Sequence, residues 1–395
     1  MVPERDTLTR VGFILTHAAT GWLGGAQYYR NLFAALHATP EANVEGYVFH
    51  DSGAPVSTGW ARKAIRLRIL EERSIPWLVR SGVTRILDSD VLLERRLEAE
   101  GVEVISHAHV GRTRRLPAIA WIPDVQHRHL PALFTARDRA IRDRIFASAA
   151  RSAAIVLASS ESARSDVEEF YPESRGRVRV LRFVHCSSPA QDPVPPGIAE
   201  GHRIREPFVL LPNQFWVHKN HEVVVEALRI LRGRGKRVVV LCTGNTSDFR
   251  NPDHFRSLQG RIAEAGVSED MRILGLVSYG ELAFLMRAAV AILNPSLFEG
   301  WSTTVEEAKT LGKKVILSSI SVHREQAPER ATYFDPHDAE ALAAALYEAT
   351  GGCDPEEERR SSERSARALP ARRSAFAHTY AAIAREARAL GARRD

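Results

Sequence analysis

Two glutamates separated by seven residues, Glu299 and Glu307, bracket a glycine and a run of small hydroxyl residues in Phe298-Glu299-Gly300-Trp301-Ser302-Thr303-Thr304-Val305-Glu306-Glu307-Ala308-Lys309. The apolar run Ala289-Val290-Ala291-Ile292-Leu293 just before them reads as a buried strand. Asn294-Pro295-Ser296 breaks it and opens a loop. From Thr303 onward the pattern reads as a helix, with Thr303 and Glu306 spaced as a capping box. One carboxylate is therefore expected in a loop, the other about a turn into a helix. Backbone N–H groups at such a helix start attract anions such as phosphate. A carboxylate beside them repels phosphate but accepts hydrogen bonds from sugar hydroxyls. The combination suggests a site for a phosphate ester that also carries sugar. The alternative is a solvated Glu307, with Glu306 and Glu307 serving only the helix dipole.

A second segment, Leu211-Pro212-Asn213-Gln214-Phe215-Trp216-Val217-His218-Lys219-Asn220-His221, also joins an apolar strand to a helix. Lys219 at a helix start opposes the dipole, and a bound anion would remove that mismatch. Thr243-Gly244-Asn245-Thr246 follows a strand, where glycine lets backbone approach a ligand; an ordinary turn explains it equally. Ile122-Pro123-Asp124-Val125-Gln126-His127-Arg128-His129-Leu130-Pro131 follows another strand and offers two imidazoles, His127 and His129, although a lone histidine is more often structural. His107 and His109 are weaker candidates of the same kind. Ser159-Ser160-Glu161-Ser162 is explained most simply by helix capping.

These residues need a framework to bring them together. Arg10 to Thr16 reads as a first strand, followed by a loop with Gly21, Gly24 and Gly25 and a helix from about Ala26 to Leu36. Further strands are expected at 101–105, 118–122, 153–158 and 178–183. Ser187 to Pro207 is rich in Pro, Ser and Gly and reads as a linker. Beyond it, strands are expected at 208–212, 238–241, 271–275, 289–293 and 314–317, with a helix from Asn220 to Leu231. Ser374 to Leu390 is alanine-rich and helical. Alternating strands and helices on both sides of a linker imply two Rossmann-like domains.

The chain has 395 residues, suiting two domains, and its 44% hydrophobic content describes a globular protein. No apolar run is long enough to span a bilayer, and Met1-Val2-Pro3-Glu4-Arg5-Asp6 lacks a signal peptide's apolar core. Cys186, Cys242 and Cys353 form neither metal spacing nor a disulfide framework, so a cytoplasmic protein is expected. The net charge of +6 fits anionic substrates or an anionic membrane surface. Nucleic acid is disfavoured, because no basic helix with interleaved aromatics stands out. Arg62, Lys63, Arg66 and Arg68, interleaved with Ile65, Leu67, Ile69 and Leu70, read as a solvated surface helix or one lying on a membrane holding a lipid-linked acceptor.

The stretch from Phe298 to Lys309 resembles the Glu-seven residues-Glu signature of family 4 (group 1) retaining glycosyltransferases. The resemblance implies the α/β GT-B fold: two Rossmann-like domains facing across a cleft, with the last helix crossing back to the N-terminal domain. It places an N-terminal acceptor-binding domain at 1–190 with the helix 374–392, a linker at 191–206 and a nucleotide-sugar domain at 207–373. Carried over by position, Glu299 lies by the transferred sugar and Glu307 binds the ribose. Gly300, Trp301, Ser302 and Thr303 surround the donor phosphates.

Lys219 matches the lysine of the family's basic pair that grips the donor diphosphate. The arginine position is Gln214, next to Asn213. A glutamine can hydrogen-bond phosphate but cannot neutralise it, so His218 or an arginine from elsewhere would have to compensate. Gly244 and the backbone of Val277, in Leu274-Gly275-Leu276-Val277-Ser278-Tyr279, belong by resemblance to the donor site. Gly24 and Gly25 resemble the glycine loop facing donor phosphates or acceptor. The family's His-Asp pair stands here as Pro123-Asp124, leaving His127 or His129 to supply the imidazole. The implied catalytic set is thus Glu299, Lys219, His127 and Asp124.

The implied activity is metal-independent, retaining hexosyl transfer from a nucleotide-sugar to a glycan, lipid-linked or small-molecule acceptor in cell-surface polysaccharide synthesis. The nucleotide-sugar is a co-substrate, and no further cofactor is expected. The expected location is cytoplasmic, peripheral to the inner face of the membrane where the acceptor is lipid-linked. A non-catalytic partner subunit and a sugar-nucleotide epimerase or hydrolase are the alternatives.

Overall fold

The structure, a computed structural model, describes residues 8–16, 23–52, 60–107, 113–186, 198–201, 204, 206–248, 250–352 and 354–392. Gly21, His109, Cys353, residues 1–6 and most of the expected linker lie outside the described residues. Within that linker a short helix, Ile198–Gly201, is described. The chain divides into two compact units. The first comprises Met1–His129, Thr135–Cys186 and Ala371–Asp395; the second comprises Leu130–Phe134 and Ser187–Pro370.

The first unit is built on seven strands: β1 (Thr9–Leu15), β2 (Val44–His50), β3 (Lys63–Arg66), β4 (Val104–Ser106), β5 (Ala118–Trp121), β6 (Ile155–Ala158) and β7 (Val178–Val180). They lie in the order β3-β2-β1-β4-β5-β6-β7, and every pairing is parallel. Both faces of such a sheet are covered by helices, which is why its strands read as near-continuous apolar runs. The C-terminal helix Pro355–Gly391 contributes its last part, from Ala371, to this unit. There Tyr380 Oη donates to Ser106 Oγ at 2.8 Å and Glu386 pairs with Arg179.

The second unit has six strands: β8 (Phe208–Leu211), β9 (Val239–Thr243), β10 (Met271–Gly275), β11 (Ala291–Asn294), β12 (Val315–Ser318) and β13 (Ala331–Phe334). Their order is β10-β9-β8-β11-β12-β13, again all parallel. The chain runs outward from β8 through β9 to β10, then returns to lay β11 beside β8. That reversal opens a crevice at the carboxyl ends of β8 and β11, where α/β sheets bind ligands. Val209, Leu211, Val240 and Leu293 pack on one face of the sheet with the helices His221–Gly233 and Ala339–Thr350. Leu210, Leu241, Ile292 and Leu317 pack on the other with Tyr279–Ala288 and Thr303–Leu311.

Three local expectations are corrected. The basic segment expected as a helix is the edge strand β3, followed by a turn of 3-10 helix, Arg68–Leu70. Its apolar residues Ile65, Leu67 and Ile69 recur every second position, which is a strand's period, and β3 pairs with β2 from Tyr47↔Lys63 to His50↔Arg66. Gly24 and Gly25 lie inside the first turn of a helix, Leu23–His37, rather than in a loop. The helix carrying Glu307 is capped by Ser302, whose Oγ accepts from Val305 N, so Thr303 is its first residue and the expected capping box is absent. Glu306 turns instead to Lys309 and Gln326.

Candidate functional site

Three loops of the second unit meet at the carboxyl ends of β8, β11 and β12. Asn220 ties the first to the second. It adopts a left-handed conformation with φ 56°, which asparagine tolerates better than most residues. From there its Nδ2 donates to Pro295 O at 3.1 Å and to Pro336 O at 2.8 Å. Leu297 N adds a bond to His218 O at 2.8 Å. These contacts fix Lys219 beside the loop that carries Glu299.

Lys219 Nζ donates to Glu299 Oε1 at 2.6 Å, and the two side chains are only 14% and 10% exposed. Ser296 Oγ lies 2.7 Å from the same Oε1 and 2.6 Å from Asn294 Oδ1. Its single hydrogen serves one of the two at a time. Burial alone would raise the Glu299 carboxyl, but Lys219, with neighbouring histidines at positions 323 and 218, outweighs it and holds the group down at about 2. Glu299 is therefore an anion at any working pH, and it accepts hydrogen bonds rather than supplying protons. Oε1 is occupied by protein donors; Oε2 has no partner among the described residues.

A buried amide network aligns this loop with the helix behind it. Asn213 Nδ2 donates to Asn294 Oδ1 at 3.0 Å, and Asn294 Nδ2 donates to Ser302 Oγ at 2.8 Å. Gln326 clasps the helix start from the other side: its Oε1 accepts from Ser302 N and its Nε2 donates to Ser302 O. Ser302 N and Val305 N are thereby satisfied. The N–H groups of Thr303 and Thr304 meet no acceptor among the described residues, so they remain available to an anion. Glu307 sits farther along the same helix and is 6% exposed; burial pushes its carboxyl up to about 8. Gly300 and Trp301 lie half-buried in the connecting loop.

Gly244 lies against Asn213. Its φ is +139°, and a Cβ there would stand 2.4 Å from Asn213 O, so only glycine lets the loop after β9 approach so closely. Gln214 is half-buried between them in the chain. Val277 lies half-buried in the loop after β10, just before the capping box of Ser278 and Glu281. Arg250 stacks over Trp216 at 4.9 Å and pairs with Asp248. It lies close enough to His218 to act on its charge; burial foremost, then Lys219, brings that imidazole down to about 3. His218 is consequently neutral and brings no cation to the loop.

The first-unit candidates are placed differently. His127 is fully buried; its Nε2 lies 2.9 Å from Asp143 Oδ1, which also accepts from Tyr171 Oη. Asp124 caps the short helix Gln126–His129 through Gln126 N, and His129 pairs with Asp166. His107, left-handed with φ 58°, is held between Tyr28 Oη and Ser106 Oγ, each at 2.7 Å. Ser160 caps the helix Glu161–Phe170, as the capping reading expects. The structure thus gathers Asn213, Gly244, Lys219, Glu299, Ser302 and Thr303 in one unit. His127, Asp124, Gly24 and Gly25 belong to the other unit.

Sequence reasoning passed over Asn220, Asn294, Ser296 and Gln326. The first three sit within segments read only as breakers or helix starts. Gln326 is distant in sequence, and nothing in its own neighbourhood marks it.

Residues 199–367 match the family Glycosyl transferases group 1. The O-antigen chain mannosyltransferase RfbU of Salmonella typhimurium is 27% identical over 142 residues, 36% of this chain and 38% of that protein. The chain thus matches well under half the length of this curated relative. Sucrose-phosphate synthase from Thermosynechococcus elongatus has the same fold, with a TM-score of 0.66 at 18% identity, covering 95% of this chain and 96% of that one. Anabaena HepE, solved in complex with UDP and glucose, superposes with a TM-score of 0.62 at 14% identity, covering 93% and 94%. Residues 199–367 thus resemble the glycosyl transferases group 1, within a chain of two Rossmann-like units that has the GT-B fold.

Proposed function

We propose that this chain is a retaining, metal-independent hexosyltransferase. It would move a sugar from a nucleotide-sugar to a glycan, lipid-linked or small-molecule acceptor in cell-surface polysaccharide synthesis. The observation that carries this reading is the placement of Lys219, anionic Glu299 and two unmet helix amides within one crevice of the second unit. The donor diphosphate would lie on the amides of Thr303 and Thr304 and share Lys219 with Glu299. Charge builds on the leaving phosphate as the glycosidic bond breaks, and these fixed donors stabilise it without reorganising. Glu299 Oε2 would accept from hydroxyls of the transferred sugar, and Glu307 from the ribose. Retention then follows from attack on the same face, with the leaving phosphate taking the acceptor's proton.

The names of the relatives support the class. One makes O-antigen chains, and another was solved with a nucleoside diphosphate and a sugar. The neutralising role attributed to metal ions elsewhere falls here to Lys219 and the helix start, so a chelator should leave the rate unchanged. His127, held by Asp143, and Asp124, which accepts from Gln126 N, would be the first unit's contribution to the transfer. A lipid-linked acceptor would bring the protein to the inner face of the membrane as a peripheral enzyme; no described helix is long and apolar enough to cross a membrane.

The test is calorimetry with a panel of nucleoside diphosphates and their sugar conjugates, on wild type and Glu307→Ala. Binding of one nucleotide, lost in the variant, is expected. No binding by any member of the panel would overturn the assignment.

A further inference from the structure

In the first unit the helix Ile75–Leu87 has no buried residue. Four of its apolar side chains face outward: Ile75 is 79% exposed, Leu78 56%, Val79 55% and Ile86 83%. At about 100° per residue these four positions and Gly82 share an arc of about 100°. The opposite side is held by charge. Arg80, roughly 150° round the helix from the centre of that arc, donates to both oxygens of buried Asp90 and to Ile69 O. A helix in water buries its apolar stripe and hydrates its polar one; this helix half-buries Trp77 and Val83 but leaves four other large apolar side chains in water.

The surroundings are basic. No acidic residue lies within the helix. Arg68, Arg73 and Arg85 are exposed and make no ion pair with described residues. Residues 60–88 contain seven basic and three acidic residues, a net +4 within a chain whose total is +6. A second copy of the chain is a poor occupant of this face, because a two-fold contact would set the same arginines against one another. A bilayer surface with anionic headgroups complements both the apolar stripe and the charge.

We propose that Ile75–Leu87 is an interfacial anchor. It lays Ile75, Leu78, Val79 and Ile86 among the headgroups of an anionic bilayer, with Arg68, Arg73 and Arg85 on the lipid phosphates. The anchor serves the lipid-linked acceptor of the proposed reaction, but vesicle binding without substrates reads it independently of transfer.

The experiment is sedimentation of the full chain with phosphatidylcholine vesicles, with and without phosphatidylglycerol. Wild type is expected to bind the anionic vesicles and to be released by salt. Leu78→Glu/Ile86→Glu should weaken binding by more than tenfold while leaving the melting temperature and nucleotide binding unchanged, since both side chains are already exposed. Arg68→Gln/Arg73→Gln/Arg85→Gln should remove the preference for anionic lipid and the salt dependence. Failure of wild type to sediment with anionic vesicles would overturn the proposal, as would equal binding by the stripe variant. So would a wild-type dimer that the stripe variant dissociates while vesicle binding persists.

Discussion

Glu307 offers the sharpest test of the donor site, because its ionisation must be coupled to binding. In the ligand-free protein burial holds its carboxyl at about 8, so it keeps its proton at pH 7. A ribose diol that donates to both carboxyl oxygens needs the ionised form, because the protonated acid accepts at only one of them. Binding must then expel a proton whenever the pH is below about 8. Each unit below that value costs about 1.4 kcal/mol, or tenfold in affinity. A nucleotide-sugar should therefore bind about tenfold more weakly at pH 7 than on the plateau above pH 8, and about a hundredfold more weakly at pH 6.

The assay is titration calorimetry from pH 6 to 9 in buffers of different ionisation enthalpy. The ligand should be the sugar conjugate, whose phosphates have no proton to lose in this range. Close to one proton should be released per molecule bound at pH 6 and almost none at pH 9. Glu307→Gln should bind more weakly and without pH dependence. The same coupling has a counterpart in folding. A raised carboxyl contributes stability that is full below its unfolded value near 4.5 and is lost as pH climbs through about 8. The ligand-free Glu307→Gln protein should thus melt a few degrees higher than wild type at pH 8. Flat wild-type affinity across pH 6–9, or an unchanged slope in Glu307→Gln, would refute the reasoning.

Lys219→Met should abolish turnover and destabilise the chain by about 3–5 kcal/mol in urea melts, because Glu299 is left as a buried, unpaired anion; Lys219→Met/Glu299→Gln should recover most of the stability and none of the rate. Glu299 also predicts an acid limb: its depressed carboxyl, at about 2, contributes stability above pH 4.5 that falls away as pH drops toward 2, and Glu299→Gln should flatten that limb in pH-dependent melts. Gly244→Ala should raise KM for the donor and lower the melting temperature, since its methyl would collide with Asn213 O. Gln214→Arg should tighten nucleoside diphosphate binding and steepen its salt dependence, read by calorimetry at two ionic strengths.

The parts of this site that the sequence displays are those whose logic is local. A strand, a breaker and a helix start are written in consecutive residues, so the loop of Glu299 and the helix of Glu307 are visible beforehand. What was misread locally failed for identifiable reasons. β3 alternates at period two, but its lysine and arginines resemble a solvated helix face until β2 is seen to pair with it. Ser302 displaces Thr303 as the cap because Asn294 and Gln326 grip it, and Gln326 arrives from another strand–helix connection. Carboxylate charge state is the least legible property. Glu299 and Glu307 are the same residue type on one short segment and both lie in the interior. Lys219, 80 residues away, holds one as an anion, while burial keeps a proton on the other. That division follows from what the fold sets beside each carboxyl, and it gives the two glutamates different tasks: one a permanent acceptor for sugar hydroxyls, the other an acceptor created by the act of binding.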